Sequence, residues 1–224
     1  MTKTFVKEFF VSIQGEGPFV GYKQLFIRFC RCNLKCKYCD TEFLASTGAK
    51  EYSAQELFDV VSALDLTGLH SISLTGGEPL LETEFLKEFL PLARGLGRIY
   101  LETNATLPEQ FEEIKDLVDI VSADIKLESA AGVKGCRHDA FFAACTGKNL
   151  FAKIVFDNSI TDEEIAATAA LAKKYDFELV LSPVMLGDKM SVTTEFISAV
   201  LDKYLKHYDR VRVIPQVHKF IGVE

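Results

Sequence analysis

Short runs of Val, Ile, Leu and Phe recur along this chain, and most are followed by a polar or glycine-bearing break and then by a helical repeat. Phe5–Ile13, Gln24–Phe29, His70–Leu74, Arg98–Leu101, Ile120–Ala123, Phe151–Phe156, Glu178–Leu181 and Val211–Ile214 read as strands, being short, apolar and bounded by turn formers. Helical periods lie between them. Ser53-Ala-Gln-Glu56 and Thr161-Asp-Glu-Glu164 are capping boxes, which open helices running to about Leu64 and Tyr175. Thr83–Ala93 carries Phe85, Leu86, Phe89 and Leu90 as a buried stripe. Further helices are expected near Glu109–Leu117, Asp139–Cys145 and Thr193–Tyr208, while the small-residue segment Ser129–Gly135 reads as a loop. Strand, loop and helix repeated about six times predict an α/β fold with a parallel sheet and helices outside it. Right-handed crossovers curl such a sheet into a barrel or an open partial barrel.

The unusual segments all follow strands: Q-G-E-G at 14–17, the cysteine loop after Phe29, T-G-G-E-P at 75–79, E-T-N at 102–104 and the stretch after Leu181. In a βα barrel the ends of successive strands share one face, where sites are built. The cysteine loop carries the most specific signal. Cys32, Cys36 and Cys39 stand in a C-x3-C-x2-C spacing. Three thiolates on one tight loop suit three irons of a cubane iron–sulfur cluster and leave the fourth iron open. A structural zinc site is the other reading of three cysteines, but zinc usually pairs two such units or adds an H-x3–5-H, and neither occurs here. Cys30, Cys136 and Cys145 read as packed thiols.

Composition narrows the partners. A chain of 224 residues is expected to form one domain, residues 1–224. A net charge of −7 argues against gripping nucleic acid, which calls for a basic face. No apolar run approaches the roughly 18 residues of a membrane span, and M-T-K-T-F-V-K-E-F-F lacks the apolar core of a signal peptide. Six cysteines, three of them on one loop, do not make a disulfide framework in a chain this size, so a reducing, cytoplasmic setting is expected.

The cysteine spacing resembles that of the radical S-adenosylmethionine (radical SAM) enzymes. I-Q-G-E-G before it, C-D-T after it, L-T-G-G-E-P-L-L, L-E-T-N and a late P-Q-V-H-K together resemble the 7-carboxy-7-deazaguanine synthase family, in order and over nearly the whole chain. The resemblance implies a partial, open βα barrel. It also implies a 4Fe-4S cluster on Cys32, Cys36 and Cys39, SAM on the open iron, and conversion of 6-carboxy-5,6,7,8-tetrahydropterin to 7-carboxy-7-deazaguanine. Carried over by motif, Tyr38 and Asp40 at the cysteine loop, Gly77 and Glu78 of T-G-G-E-P, Glu102 and Asn104 of E-T-N, and Ser182 after the strand Glu178–Leu181 would contact SAM. Many members carry S-P-K after the fifth strand of the barrel; this chain has S-A-D-I-K, so Ser122, Asp124 and Lys126 share that assignment. Ile13, Gln14, Gly15, Arg28, Thr75, Gln216 and His218 would contact the pterin, Arg28 offering a planar fork to its carboxylate. Thr41 would place its hydroxyl on Mg2+, and a homodimer is implied. Arg28, Arg31, Lys35 and Lys37 flank the cysteines and suggest docking of an acidic one-electron donor such as a flavodoxin or ferredoxin. Two other readings compete. A glycyl-radical activating enzyme predicts a different pair in place of Asp40-Thr41, and a non-catalytic zinc or iron–sulfur module predicts no SAM cleavage.

Overall fold

The computed structural model describes residues 2–39 and 48–223. Its centre is a nine-stranded sheet: β1 (Lys3–Ile13), β2 (Lys23–Phe29), β3 (Lys50–Ser53), β4 (Ser71–Gly76), β5 (Arg98–Thr103), β6 (Ile120–Ile125), β7 (Asn149–Phe156), β8 (Glu178–Pro183) and, after a small hairpin of β9 (Met185–Leu186) and β10 (Lys189–Met190), β11 (Val211–Val213). The strand order is β11-β8-β7-β6-β5-β4-β2-β1-β3. From β2 to β11 every pairing is parallel. This is the open βα sheet the alternation predicts, with seven parallel strands against the six or so expected.

The two remaining strands correct the expectation. β1 runs antiparallel to β2, pairing Ile13 with Lys23 and Val6 with Phe29. The four-residue β3 pairs antiparallel with β1 at the sheet edge. The end of β1 therefore lies at the opposite end of the sheet from the ends of the parallel strands. Q-G-E-G does not share their face, and reaches the interior from the other side. Residues 17–19 form a 3-10 turn there, with Phe19 packed on His70, Tyr100 and Phe151 at ring separations of 5.3, 5.7 and 6.0 Å. Gly17 sits at φ +65°, and a Cβ on it would lie 2.5 Å from the Phe151 ring, so only glycine lets this plug close.

Helices α1 (Ala54–Ser62), α2 (Thr83–Ala93), α3 (Pro108–Ile114), α4 (Glu128–Ala131), α5 (His138–Ala144), α6 (Asp162–Tyr175), α7 (Thr194–Leu205) and α8 (Val217–Ile221) complete the chain. Both capping boxes form: the Glu56 and Thr161 reciprocal bonds open α1 and α6 as the sequence predicts. The segment read as a loop holds α4. Its start is tied down by Glu164, which accepts from the Ser129 N–H and hydroxyl at 2.9 and 2.6 Å.

Strand alternation separates the two faces of the sheet. Leu25, Ile27, Phe29, Ile72, Leu74, Ile99, Leu101, Val121, Ala123, Ala152, Ile154, Leu179 and Leu181 all join the main apolar core, which includes the stripe of α2. The intervening residues, among them Arg28, Thr75, Glu102, Asp124, Lys153 and Ser182, line a cavity on the other face.

Candidate active site

The parallel register builds the site. Arg28 pairs with Thr75 across β2 and β4, and Asp124 with Lys153 across β6 and β7. Polar side chains from adjacent strands thus stand close together in a cavity of about 640 Å³, within the roughly 300–1,000 Å³ usual for small-molecule sites. Cys32, Cys36 and Cys39 stand in its wall with Tyr38, and Ile13, Gln14, Gly15, Glu16, Gln216 and His218 enter it as well.

The glycines of T-G-G-E-P let this strand end touch the cysteine loop. The Gly77 N–H donates to the Phe29 carbonyl at 2.9 Å and the Glu78 N–H to that of Arg31 at 2.6 Å. A Cβ on Gly77 would lie 1.8 Å from the Arg31 oxygen. Behind the loop, the Lys37 N–H donates to the Ala131 carbonyl of α4 at 2.9 Å, and Gly132 leaves room for the Lys37 stem. The 129–136 segment, to which the sequence assigned no role, thus backs the cysteines.

Three sulfurs of one loop, soft and uncrosslinked, suit the donor set of an iron–sulfur cluster. Among the described residues no three His, Cys, Asp or Glu side chains converge on one point. A cubane binds each cysteine through a different iron and so needs spaced thiolates. Burial raises the thiols of Cys32 and Cys36, and the nearby Lys126 charge works against that rise. Cys32 accepts from the Leu34 N–H at 3.5 Å and from the Asn104 amide at 3.9 Å. Asn104 is fixed in turn: it donates to Asn33 Oδ1 at 2.8 Å and accepts from Thr106 Oγ1 at 2.5 Å.

Most residues singled out by motif lie in the cavity wall. Those are Ile13, Gln14, Gly15, Arg28, Thr75, Gln216 and His218 of the pterin set, and Tyr38, Gly77, Glu102, Asn104, Asp124, Lys126 and Ser182 of the SAM set. Asp40 and Thr41 lie outside the described residues. Glu78 and Ser122 lie outside that wall. Glu78 is fully buried and is not in the wall; its carboxylate accepts from the Leu80 N–H, the Thr103 hydroxyl and the Asn104 N–H at 3.1, 2.8 and 2.7 Å. Burial pushes its carboxyl up to about 7 despite those bonds. It locks T-G-G-E-P to E-T-N. Ser122 is likewise buried behind the wall. Cys30 and Cys145 are buried as expected, whereas Cys136 is only half-buried.

The Tyr38 hydroxyl is buried in the wall without a hydrogen-bond partner, and the Lys126 Nζ stands 5.5 Å from its ring centre. A cavity of this size with a glycine strap beside three thiols fits a SAM-sized ligand. On the far side, Gln14 donates to Gln24 and Glu102, each at 3.0 Å, and Thr75 donates to Glu102 at 2.8 Å. The Val217 N–H donates to the Gly15 carbonyl at 2.8 Å, and a Cβ on Gly15 would strike His218 at 2.3 Å. The first and last motifs of the chain are therefore in direct contact. Arg28 bonds Glu8 at 2.7 Å and is about one quarter exposed.

Sequence reasoning missed Lys153 and the role of Glu16. Lys153 sits in an apolar strand, F-A-K-I-V-F, where alternation alone signals that its side chain faces away from the core.

A family model described as the Radical SAM superfamily matches residues 26–198. The 7-carboxy-7-deazaguanine synthase of Archaeoglobus fulgidus is 35% identical, over 96% of this chain and 97% of that protein. The enzyme of the same name from Geobacter sulfurreducens is 33% identical, over 97% and 96%. The crystal structure of QueE from Escherichia coli matches the fold with a TM-score of 0.66 at 19% identity, covering 96% of this chain and 95% of that one.

Proposed function

We propose a reaction for this chain from one premise: it belongs to the 7-carboxy-7-deazaguanine synthase family of the radical SAM superfamily. It is an enzyme of that kind, with a 4Fe-4S cluster and SAM. The substrate is 6-carboxy-5,6,7,8-tetrahydropterin. The substrate loses a hydrogen from C6, its ring contracts, the hydrogen is returned and ammonia leaves. The cluster and SAM, when bound, supply one-electron cleavage of a C–S bond and hydrogen-atom abstraction from carbon. The activating-enzyme and zinc-module readings are not favoured.

The chain's own residues hold and exclude. Cys32, Cys36 and Cys39 hold the cluster. Tyr38, Gly77, Glu102, Asn104, Asp124, Lys126 and Ser182 surround SAM, with Asp40 contributing from the cysteine loop. Arg28 takes the substrate carboxylate, Thr75 and the Ile13–Gly15 backbone take the pterin ring, and Gln216 and His218 close over it. Thr41 would hold Mg2+, which would supply a hard positive charge for the same carboxylate. Lys35 and Lys37 are exposed beside the cysteines; with Arg31 they form a basic rim for an acidic flavodoxin or ferredoxin. The family resemblance supports a cytoplasmic homodimer. Among the described residues no helix is long and apolar enough to cross a membrane.

One observation carries this reading: the cysteines and all seven pterin candidates, drawn from both ends of the chain, line one cavity. The test is an anaerobic assay of the reconstituted protein with dithionite, SAM, Mg2+ and the pterin, followed by mass spectrometry. 7-Carboxy-7-deazaguanine is the expected product. Formation of 5′-deoxyadenosine without it would overturn the substrate, and no deoxyadenosine from a fully loaded cluster would overturn the reaction class.

A further inference from the structure

Four ionised side chains that no motif joins form one row along the cavity. Glu16 Oε2 lies 2.5 Å from Lys153 Nζ, Lys153 Nζ lies 3.3 Å from Asp124 Oδ1, and Asp124 Oδ2 lies 3.2 Å from Lys126 Nζ. The charges alternate in sign. At one end Gln216 donates to the other oxygen of Glu16 at 2.6 Å, and at the other Lys126 stands over Tyr38. The row therefore runs from the contact between Q-G-E-G and P-Q-V-H-K to the cysteine loop. Lys153 is its keystone, with a side chain 5% exposed and both neighbours carboxylates.

A lysine this buried persists only when paired. Burial works against its charge, but Asp124, Glu16 and Glu102 outweigh that, so it stays an ammonium. Burial likewise opposes the charge on Glu16, yet Lys153 and Gln216 hold its carboxyl down at about 2. Neither group changes its proton in the working range, so the row is not an acid–base relay. What it fixes is distance. Hydrogen-atom transfer needs the reacting atoms in near-attack placement, and an error of about 1 Å costs on the order of 100-fold.

We propose that Lys153 is a positioning residue that holds the substrate floor at Glu16 in register with the Asp124–Lys126 wall on the SAM side. This rests on the functional reading above. Removing the ammonium leaves the Glu16 and Asp124 carboxylates facing each other across the gap it filled, and they repel. SAM cleavage continues while hydrogen transfer to substrate fails.

The test uses reconstituted enzyme and the nearly isosteric Lys153→Met, with Glu16→Gln and the double variant. Lys153→Met is expected to keep its iron content and to raise the ratio of 5′-deoxyadenosine to product about tenfold or more. The double variant is expected to recover part of the coupling, because the unpaired carboxylate at 16 is gone. A second readout needs no turnover: backbone amide exchange in residues 14–18 and 215–221 rises in Lys153→Met. An unchanged ratio and unchanged exchange in a folded variant would overturn the proposal. If Lys153→Met does not fold, Glu16→Gln carries the same expectation, and an unchanged ratio and exchange there would overturn it equally. Wild-type enzyme that makes no product sinks the functional reading instead, and the exchange readout then decides the positioning role alone.

Discussion

The two faces of the same strands have opposite characters. Toward the helices, β2 presents Leu25, Ile27 and Phe29 and β4 presents Ile72 and Leu74, all fully buried in one apolar core. Toward the cavity the same strands present Gln24, Phe26 and Arg28, then Ser73 and Thr75. Parallel strands covered on both faces usually read as continuous apolar runs. Here only one face does so. Stability rests on one face and chemistry on the other, one residue apart, so substitutions at neighbouring positions should fail in different ways.

The largest effect is expected at the cavity mouth. Cys36→Ala removes one cluster ligand, and reconstituted protein should lose its cluster iron and its SAM cleavage. Cys36 is half-buried and outside the core, so the stability of the cluster-free protein should change by less than about 1 kcal/mol. Iron content and thermal unfolding of the two cluster-free proteins check both halves. On the helix face the pattern inverts. Ile72→Ala should cost about 2–5 kcal/mol of unfolding free energy while leaving turnover per folded, cluster-loaded molecule unchanged. A core variant that changed the ratio of deoxyadenosine to product would break the separation.

The same division decided what could be read from the chain. Helices were legible because their caps and apolar stripes are local signals, and both capping boxes form. Strand cores were legible, but their ends were not. The apolar pattern stops at Leu74, Leu101 and Ala123, whereas β4, β5 and β6 run on to Gly76, Thr103 and Ile125. The first residue beyond each stop, Thr75, Glu102 or Asp124, turns a polar side chain into the cavity. Direction was not legible either: a strand pattern carries no arrow, so β1 passed for another parallel strand and Q-G-E-G for another strand end on the common face. Glu78 carries a structural tie that its motif does not announce. Its place in T-G-G-E-P pointed to a ligand, while its three hydrogen bonds to the chain are long-range or local facts visible only once β5 lies alongside. Lys153 has no motif; its partners are 29 and 137 residues away.

Arg28 sharpens the comparison at a single strand. Its neighbours Ile27 and Phe29 are core, and its own fork already bonds one carboxylate, that of Glu8. Arg28→Ala should raise KM for the pterin about 10- to 100-fold, the worth of one or two charge-assisted hydrogen bonds, with little change in stability. Arg28→Lys should restore the charge and only part of the affinity, because a point charge cannot offer two parallel bonds. Equal KM values for all three proteins would remove Arg28 from the site.

The smallest effect is expected where the two faces meet, at His138. Its ring joins the chain just beyond β5 to the chain just beyond β6: Nδ1–H donates to the Ala105 carbonyl at 3.1 Å, and Nε2 accepts the Lys126 N–H at 3.0 Å. Burial lowers this imidazole from its ordinary 6.5 to about 4, with the Lys126 charge adding to the effect and Asp124 opposing it. A base held neutral in the fold contributes stability that is complete above the unfolded value near 6.5 and is lost as pH falls through about 4. Between about pH 7 and pH 5 that loss amounts to roughly 1–2 kcal/mol. Glu78 acts in the opposite sense over the same range. Its carboxyl is raised to about 7, so its contribution is lost as pH rises from the unfolded 4.5 through that value. The wild-type curve alone would therefore hide both. The difference between wild type and His138→Asn isolates the imidazole: the variant should lose stability at pH 7 and lose less on acidification. A difference independent of pH would mean that the fold leaves His138 at its unfolded value and does not hold the ring neutral. A variant that lost more stability than wild type on acidification would mean that the fold favours the imidazolium, and that the bond from the Lys126 N–H, which needs an unprotonated Nε2, is absent.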